Sequence, residues 1–289
     1  MKKILALILA LMMCTLCLVS CGSGDSKDDL ADKVVGTDAE ETNADTAADT
    51  VADATVSDIQ KIKDAGKILV GITDFAPMDY EDENGEWIGF DADMAKAFAE
   101  KLGVEAEFVV INWKNKILEL DSGMIDCVWN GMTLTDEVKA AMSCSNAYCN
   151  NQQIIIVDKD MADDYTTIDD YKSLMFAVES GSAGEAAAKA NGLNYIAVDD
   201  QAKTLMEIKS GMCDAAIIDS LMAGAMVGEG TAYENLTYTL GLTTEEYGVG
   251  FRVGSDLTAE FNAFLAEMIA NGEAEAIAEA YGVQAALVK

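Results

Sequence analysis

Asp219 closes the apolar stretch "AAII", and an acidic side chain at the end of an apolar strand needs a partner of its own. Upstream, "ESGSAGEAAAKA" sets Ser182 three residues before Glu185, the spacing of a helix-capping box, so N–H groups at 182 to 184 are available to an anion. Any capped surface helix has the same spacing. In "NGMTLTDEVK", Thr135 is suited to cap a helix whose first turn carries Asp136 and Glu137. Histidine is absent, which removes Ser-His-Asp and Cys-His catalysis and histidine metal sites together. No cysteine spacing supports a metal either, so no metal, cofactor or catalytic residue is expected. Carboxylates, hydroxyls and backbone groups remain, and these can bind a small polar molecule without reacting with it.

The whole-chain balance narrows the partners. A formal charge of −32 makes a nucleic-acid backbone, which demands a basic face, a poor partner. With 289 residues and 51% hydrophobic content, the chain can bury one large core or those of two lobes. Its cations are 18 Lys and a single Arg, Arg252.

The elements that must position these residues are written partly in duplicate. "LELDSGMIDCVWNGM" (118 to 132) and "MEIKSGMCDAAIIDS" (206 to 220) repeat a Ser-Gly-Met phrase, with an Asp two residues on, at an offset of 88 positions. Each copy reads as the end of a helix, a left-handed cap at Gly123 or Gly211, and an Asp (Asp126 or Asp214) leading into a strand, "CVWNG" or "AAIID". Carboxyl ends of parallel strands are where α/β sheets bind ligands. The duplicated unit therefore predicts two lobes facing one cleft, with Asn130-Gly131 on one side and Asp219 on the other. Around it, "GKILVGI" and "EAEFVVI" predict strands, "DENGEW" a turn, and "GFDADMAKAFAEKLGV" a helix ending at Gly103. The alternation of strand and helix is that of layered α/β architecture.

The N-terminus reads differently. "MKKILALILALMMCTLCLVSC" places two lysines before an apolar run and ends in Leu18-Val19-Ser20-Cys21, which resembles a bacterial lipoprotein signal with Cys21 as the lipidated residue. An uncleaved anchor is the alternative, the 17 residues from Ile4 to Ser20 being at the short edge of spanning length. Either arrangement puts the folded part outside the cytoplasm. From Gly22 to about Val56 the composition is Asp, Ala, Thr, Ser and Glu without an aromatic residue, the composition of a disordered acidic tether.

Six segments in order, "GKILVGITDFAPMDYEDENGEWIGFDADMAKAFAEKLGV", "DSGMIDCVWNGMTLTDEVKAAM", "FAVESGSAGEAAAKA", "KSGMCDAAIIDS", "EEYGVGFRVGSDL" and "FLAEMIANGEAEAIAEAYG", resemble the extracytoplasmic solute-binding proteins of polar amino acid ABC importers over about residues 58 to 284. The resemblance implies an α/β fold of the type II periplasmic-binding-protein kind: two Rossmann-like lobes joined by two hinge strands, with the ligand cleft between them. The division is a signal at 1–20, the tether at 21–57, lobe one at 58–150 plus 247–289, and lobe two at 151–246. The implied partners are an amino-acid-like solute and the permease subunits of an importer, and a lipid anchor at Cys21 and a monomeric state are expected with them.

The same resemblance implies site residues. Phe75, before Pro77, matches an aromatic that stacks on ligand, with Asp74 beside it, and Trp113 fits a loop that often supplies a second cleft aromatic; both aromatics also suit a core. Asn130, Gly131 and Thr133 match positions that hold the amino and carboxylate ends of the ligand, Ser182 and Ala183 match the capped helix start, and Asp219 matches the carboxylate that pairs with the ligand ammonium. Glu179 replaces a residue that contacts the ligand side chain. The departure is Val138, which stands where the family usually has an Arg forked onto the ligand carboxylate. The carboxylate must then be held by N–H groups and hydroxyls, by a lysine from elsewhere, or be absent from a cationic or amine-rich solute.

Cys144 and Cys149 flank "SNAY" and are read either as a small disulfide loop or as free thiols, and Cys127 and Cys213 as buried apolar groups. Two other function classes fit the fold: an enzyme resembling cyclohexadienyl dehydratase, with Glu179 or Asp219 as general acid, and a ligand sensor.

Overall fold

In the computed structural model, which describes residues 57–288, two five-stranded sheets share one plan. The signal at 1–20, Cys21 and the tether to residue 56 lie outside the described residues. In the first sheet the strand order is Glu105–Val110, Lys67–Ile72, Cys127–Val128, Gly250–Phe251 and Ser143–Cys144, the first three parallel and Gly250–Phe251 antiparallel to both its neighbours. In the second it is Asn194–Val198, Met175–Glu179, Ala215–Asp219, Gln153–Asp158 and Leu236–Gly241, again three parallel strands followed by antiparallel ones.

The duplicated phrase occupies the same slot in both sheets, supplying the third strand. Gly123 and Gly211 both take the left-handed conformation at φ 76°, which turns the chain out of helices Lys116–Asp121 and Gln201–Ser210. The Asp that follows then clamps the neighbouring parallel strand. Asp126 donates its N–H to Leu69 O (2.7 Å) and accepts Leu69 N–H on Oδ2 (2.9 Å). Asp214 does the same with Met175 (2.9 and 2.8 Å). The two copies also leave the same positions in solvent, Leu118 and Met124 in one, Met206 and Met212 in the other.

Between the sheets the chain crosses twice. Cys149–Asn151 pairs antiparallel with Glu245–Tyr247, so that Asn151 faces Glu245 and Cys149 faces Tyr247. The first of these strands runs into Gln153 of the second sheet and the other into Gly250 of the first.

Helices Phe90–Leu102, Leu257–Ala270 and Glu273–Tyr281 belong with the first sheet, where Phe98, Trp129, Phe261 and Phe264 pack largely edge to face; the Trp129 and Phe261 ring centroids are 4.8 Å apart. The helix expected to end at Gly103 does so. A second apolar cluster, around Ile155, Phe176, Val178 and Ile217, fills one face of the second sheet.

Two expectations shift. The strand read from "CVWNG" is only Cys127–Val128, because the Asn130 side chain takes over from the backbone ladder, its Oδ1 accepting the Thr73 N–H (3.1 Å). The disulfide considered for Cys144 and Cys149 is not formed: Cys144 lies in the first sheet opposite Gly250, Cys149 is buried in the crossing ladder opposite Tyr247, and both thiols are free. No helix among the described residues is long and apolar enough to cross a membrane.

Candidate functional site

The two third strands end at one cleft. Asn130 and Gly131 border it from the first sheet and Asp219 from the second, around a volume of about 660 Å³. Phe75, Trp113, Thr133, Val138, Glu179, Ser182 and Ala183 line it as well. Asp74 does not: it is exposed and borders an adjacent pocket with Asp199, Asp200 and Lys203. Phe75 points inward and Asp74 outward because successive residues of an extended segment face opposite ways.

On the first-sheet side, the residues that approach the cleft are held from behind. Asn130 Oδ1 accepts from Thr73 Oγ1 (2.8 Å), and Nδ2 donates to Thr73 O (3.0 Å) and Asp79 Oδ2 (2.7 Å). Its side chain therefore fixes the strand end and is not free for a ligand. Gly131 donates its N–H to Asp91 Oδ2 (2.7 Å), which also accepts Tyr148 OH (2.6 Å). At φ 54° Gly131 lies so close to Phe75 that a Cβ would fall 2.3 Å from the ring, so glycine is required there on both counts. Asp79 and Asp91 are fully buried, each with Oδ1 unpartnered, and burial raises both carboxyls, Asp91 to about 6.

Thr133 Oγ1 donates to Glu245 Oε2 (3.0 Å) in the crossing ladder. Its proton spent there, the hydroxyl presents lone pairs to the cleft and can accept from an ammonium. Glu245 Oε2 also accepts from Asn151 Nδ2 (3.2 Å) and Gln153 Nε2 (3.0 Å).

Asp219 is the hub of the far side. Its carboxylate accepts from Asn151 Nδ2, Gln153 Nε2 (2.8 Å), Tyr247 OH (2.7 Å) and Gln201 Nε2. Three of these reach Oδ1, so Oδ2, with Gln201 alone, keeps accepting capacity. Burial and then the Glu245 charge push Asp219 up to about 7, against the hydrogen bonds, which favour its ionised form. Nearby, Glu179 is 3% exposed with Oε1 unpartnered, and burial, followed by the charges of Asp219 and Asp200, raises it to about 8.

The capping box at Ser182 is built with one change. Ser182 Oγ accepts the Glu185 N–H (3.1 Å) as expected, but Glu185 reaches back to the Gly181 N–H (2.6 Å) because the Ser182 N–H already donates to Glu179 O (3.2 Å). That leaves the N–H groups of Ala183 and Gly184 at the start of helix Ala183–Ala190. Trp113 and Val138 serve core and cleft together: both are buried in one apolar cluster and both line the site, and the Val138 N–H is taken by the Thr135 cap (3.1 Å).

Lys116 also lines the cleft, and the sequence reading missed it. The signal was present: four residues before buried Leu120, it lies on the inward face of its helix. Its ammonium donates to Gly181 O (2.9 Å) and Trp113 O (3.3 Å) and sits 4.8 Å from the Trp113 ring centroid. Gln153 and Gln201 were missed as well; no local pattern marks a glutamine that will serve a distant carboxylate.

Comparison with known proteins agrees with this geometry. The pattern of the bacterial extracellular solute-binding proteins, family 3, matches residues 68–284. The chain is 30% identical over 230 residues to the L-cystine-binding protein TcyJ of Escherichia coli, covering 76% of this chain and 84% of that protein. It is 31% identical over 284 residues to the ABC transporter glutamine-binding protein GlnH of Bacillus subtilis, covering 96% of each. Among solved structures, a mutant of ArgBP from T. maritima superposes with a TM-score of 0.73 at 33% identity, over 78% of this chain and 98% of that one. The ancestral amino acid-binding protein AncCDT-1, described as a precursor of cyclohexadienyl dehydratase, superposes at 0.72 and 32% identity, over 78% and 99%. The fold is thus that of the type II periplasmic binding proteins. With paired sheets, crossing strands and a shared cleft that agree with a match over three quarters of its length, the chain belongs to family 3 of the bacterial extracellular solute-binding proteins.

Proposed function

We propose that this chain is the extracytoplasmic substrate-binding component of an ABC importer, that it takes an amino acid or amino-acid-like solute, and that it does no chemistry on it. The observation that carries this reading is the shared cleft: Gly131 and Asp219, ends of equivalent strands in the two sheets, border the same space. A solute there is gripped from both sides as lobes 58–150 plus 247–289 and 151–246 close about the crossing strands. The relatives support it, since those compared are binding proteins for cystine and glutamine. Asp219 Oδ2 and the Thr133 lone pairs are acceptors for the solute ammonium, while Phe75 and Trp113 supply apolar walls. A lipid on Cys21 would hold the protein, as a monomer, at the membrane beside the importer.

The test is identification of the solute. Mass spectrometry of small molecules released by denaturing the purified protein, followed by a thermal-shift panel of the common amino acids and L-cystine, should give one strong stabiliser. Ligand at 100 times its dissociation constant adds about 2.7 kcal/mol. No stabilisation by any panel member would overturn the reading. A dehydratase-like alternative is favoured by one observation, the cleft carboxyl of Glu179 held near 8, where it suits an acid catalyst. Consumption of a prephenate-like compound by the purified protein would establish it; binding without consumption would dismiss it.

A further inference from the structure

We infer that Lys116 is the contact for an anionic group of the solute, so that the solute carries a carboxylate opposite its ammonium. This rests on reading the cleft as an amino acid site. Lys116 is only 8% exposed, yet among the described residues no carboxylate lies within the 4.0 Å of an ion pair with its ammonium. Its two bonds go to backbone carbonyls, Gly181 O and Trp113 O, which leaves one of three N–H donors. The acidic groups nearby are otherwise engaged or out of reach. Asp219 already accepts from four side chains, Glu185 takes the Gly181 N–H and Tyr195 OH (3.2 Å), and Glu179 and Glu137 act on Lys116 through their fields alone. A buried ammonium without a contact ion pair is costly, and an anion arriving in the cleft lowers that cost.

A second feature converges on the same corner. The Lys116 ammonium sits 2.9 Å from Gly181 O, two residues before Ala183, where helix Ala183–Ala190 turns its first N–H groups and the positive end of its dipole outward. An anion held there meets Lys116 from the first sheet and the helix start from the second. Unpartnered Glu179 Oε1 and the acceptors at Thr133 and Asp219 make the rest of the cleft suited to the opposite charge. Burial lowers the basicity of Lys116, and a bound carboxylate would restore it. Val138, which borders the same space, contributes no side-chain donor.

The experiment uses three matched pairs of probes by calorimetry: L-arginine with agmatine, L-histidine with histamine, and L-cystine with cystamine. The wild type should prefer at least one amino acid over its decarboxylated partner. Lys116→Met should weaken that amino acid by about 30-fold or more while leaving the amine unchanged, and Lys116→Arg should recover most of the loss. Thermal melts without ligand check that both variants fold. If Lys116→Met keeps the wild-type preference for the carboxylate, the assignment of Lys116 falls and the amino acid reading stands. A wild type that prefers the amines, or that binds none of the six probes and no member of the amino acid panel, overturns that reading and the Lys116 assignment with it.

Discussion

Gly181 and Lys114 meet backbone to backbone across the cleft: a Cβ on Gly181 would lie 2.7 Å from Lys114 Cα and 3.3 Å from its amide nitrogen. With Lys116 bonded to Gly181 O beside it, this contact joins the first-sheet side to the second. Gly181 stands at φ 76°, so Gly181→Ala should cost the folded protein about 1–2 kcal/mol by conformation alone. The larger effect should be on closure, since backbone cannot move aside as a flexible side chain can. Affinity for the solute found by the panel should fall at least tenfold (about 1.4 kcal/mol), and X-ray scattering with saturating solute should show a larger radius of gyration than wild type. Equal affinity and equal radius would mean that the contact is incidental to binding.

Asp219 combines a structural role with its proposed ligand role. Asp219→Ala would leave the donors of Asn151, Gln153, Gln201 and Tyr247 without their common acceptor inside a buried network. A loss of about 3–5 kcal/mol in ligand-free stability is expected, read by denaturant unfolding. A variant as stable as wild type would remove Asp219 from the centre of that network. Affinity unchanged in a folded variant would separately remove it as the ammonium partner.

Why some of this could be read from the sequence and some could not is a matter of distance along the chain. The caps at Gly103, Gly123 and Gly211 and the third strand of each sheet follow from local rules, and they begin where the sequence puts them, although the strand read from "CVWNG" stops at Val128. Ser182 and Glu185 form their cap, but the partner of Glu185 moves to Gly181 because Glu179 O has claimed the Ser182 N–H. Which way Asn130 and Thr133 face was illegible, because the groups that claim them, Asp79 and Glu245, lie 51 and 112 residues away. Lys116 was legible by its spacing from Leu120 but disguised by its charge, which normally marks a solvated face.

Glu179 should make stability fall as pH rises. Its carboxyl titrates near 4.5 in an open chain and near 8 in the fold. Below the lower value both states are protonated and nothing is lost. Between the two values the unfolded chain releases its proton freely while the folded protein holds on, so each step up in pH favours unfolding until the full penalty is reached above 8. Glu179→Gln removes this titration. Its melting temperature should match wild type near pH 4.5 and exceed it increasingly toward pH 8.5, by an amount corresponding to a few kcal/mol. Parallel melting profiles for the two proteins across that range would show that Glu179 is not held in its acid form.

Asp126 and Asp214 clamp equivalent strands, but only one copy is reinforced. Asp126 Oδ1 also accepts from Arg252 Nη2 (3.1 Å), and that guanidinium reaches Ile125 O (2.8 Å) and pairs with Asp58 through Nε (3.4 Å). The single arginine thus ties the duplicated phrase of the first sheet to the helix that opens the described chain. Asp214 is exposed and, among the described residues, has no cation beside it. Asp214→Ala should cost about 1 kcal/mol, since water can take the Met175 N–H. Asp126→Ala strips a half-buried guanidinium as well as the Leu69 N–H and should cost about 2–3 kcal/mol. Because Asp126 and Arg252 share one bond, a double-mutant cycle of Asp126→Ala with Arg252→Ala should give a coupling above about 0.5 kcal/mol, while Asp214→Ala with Arg252→Ala should be additive. Equal losses at the two aspartates with no coupling would mean that Arg252 adds nothing to a clamp the repeat already provides.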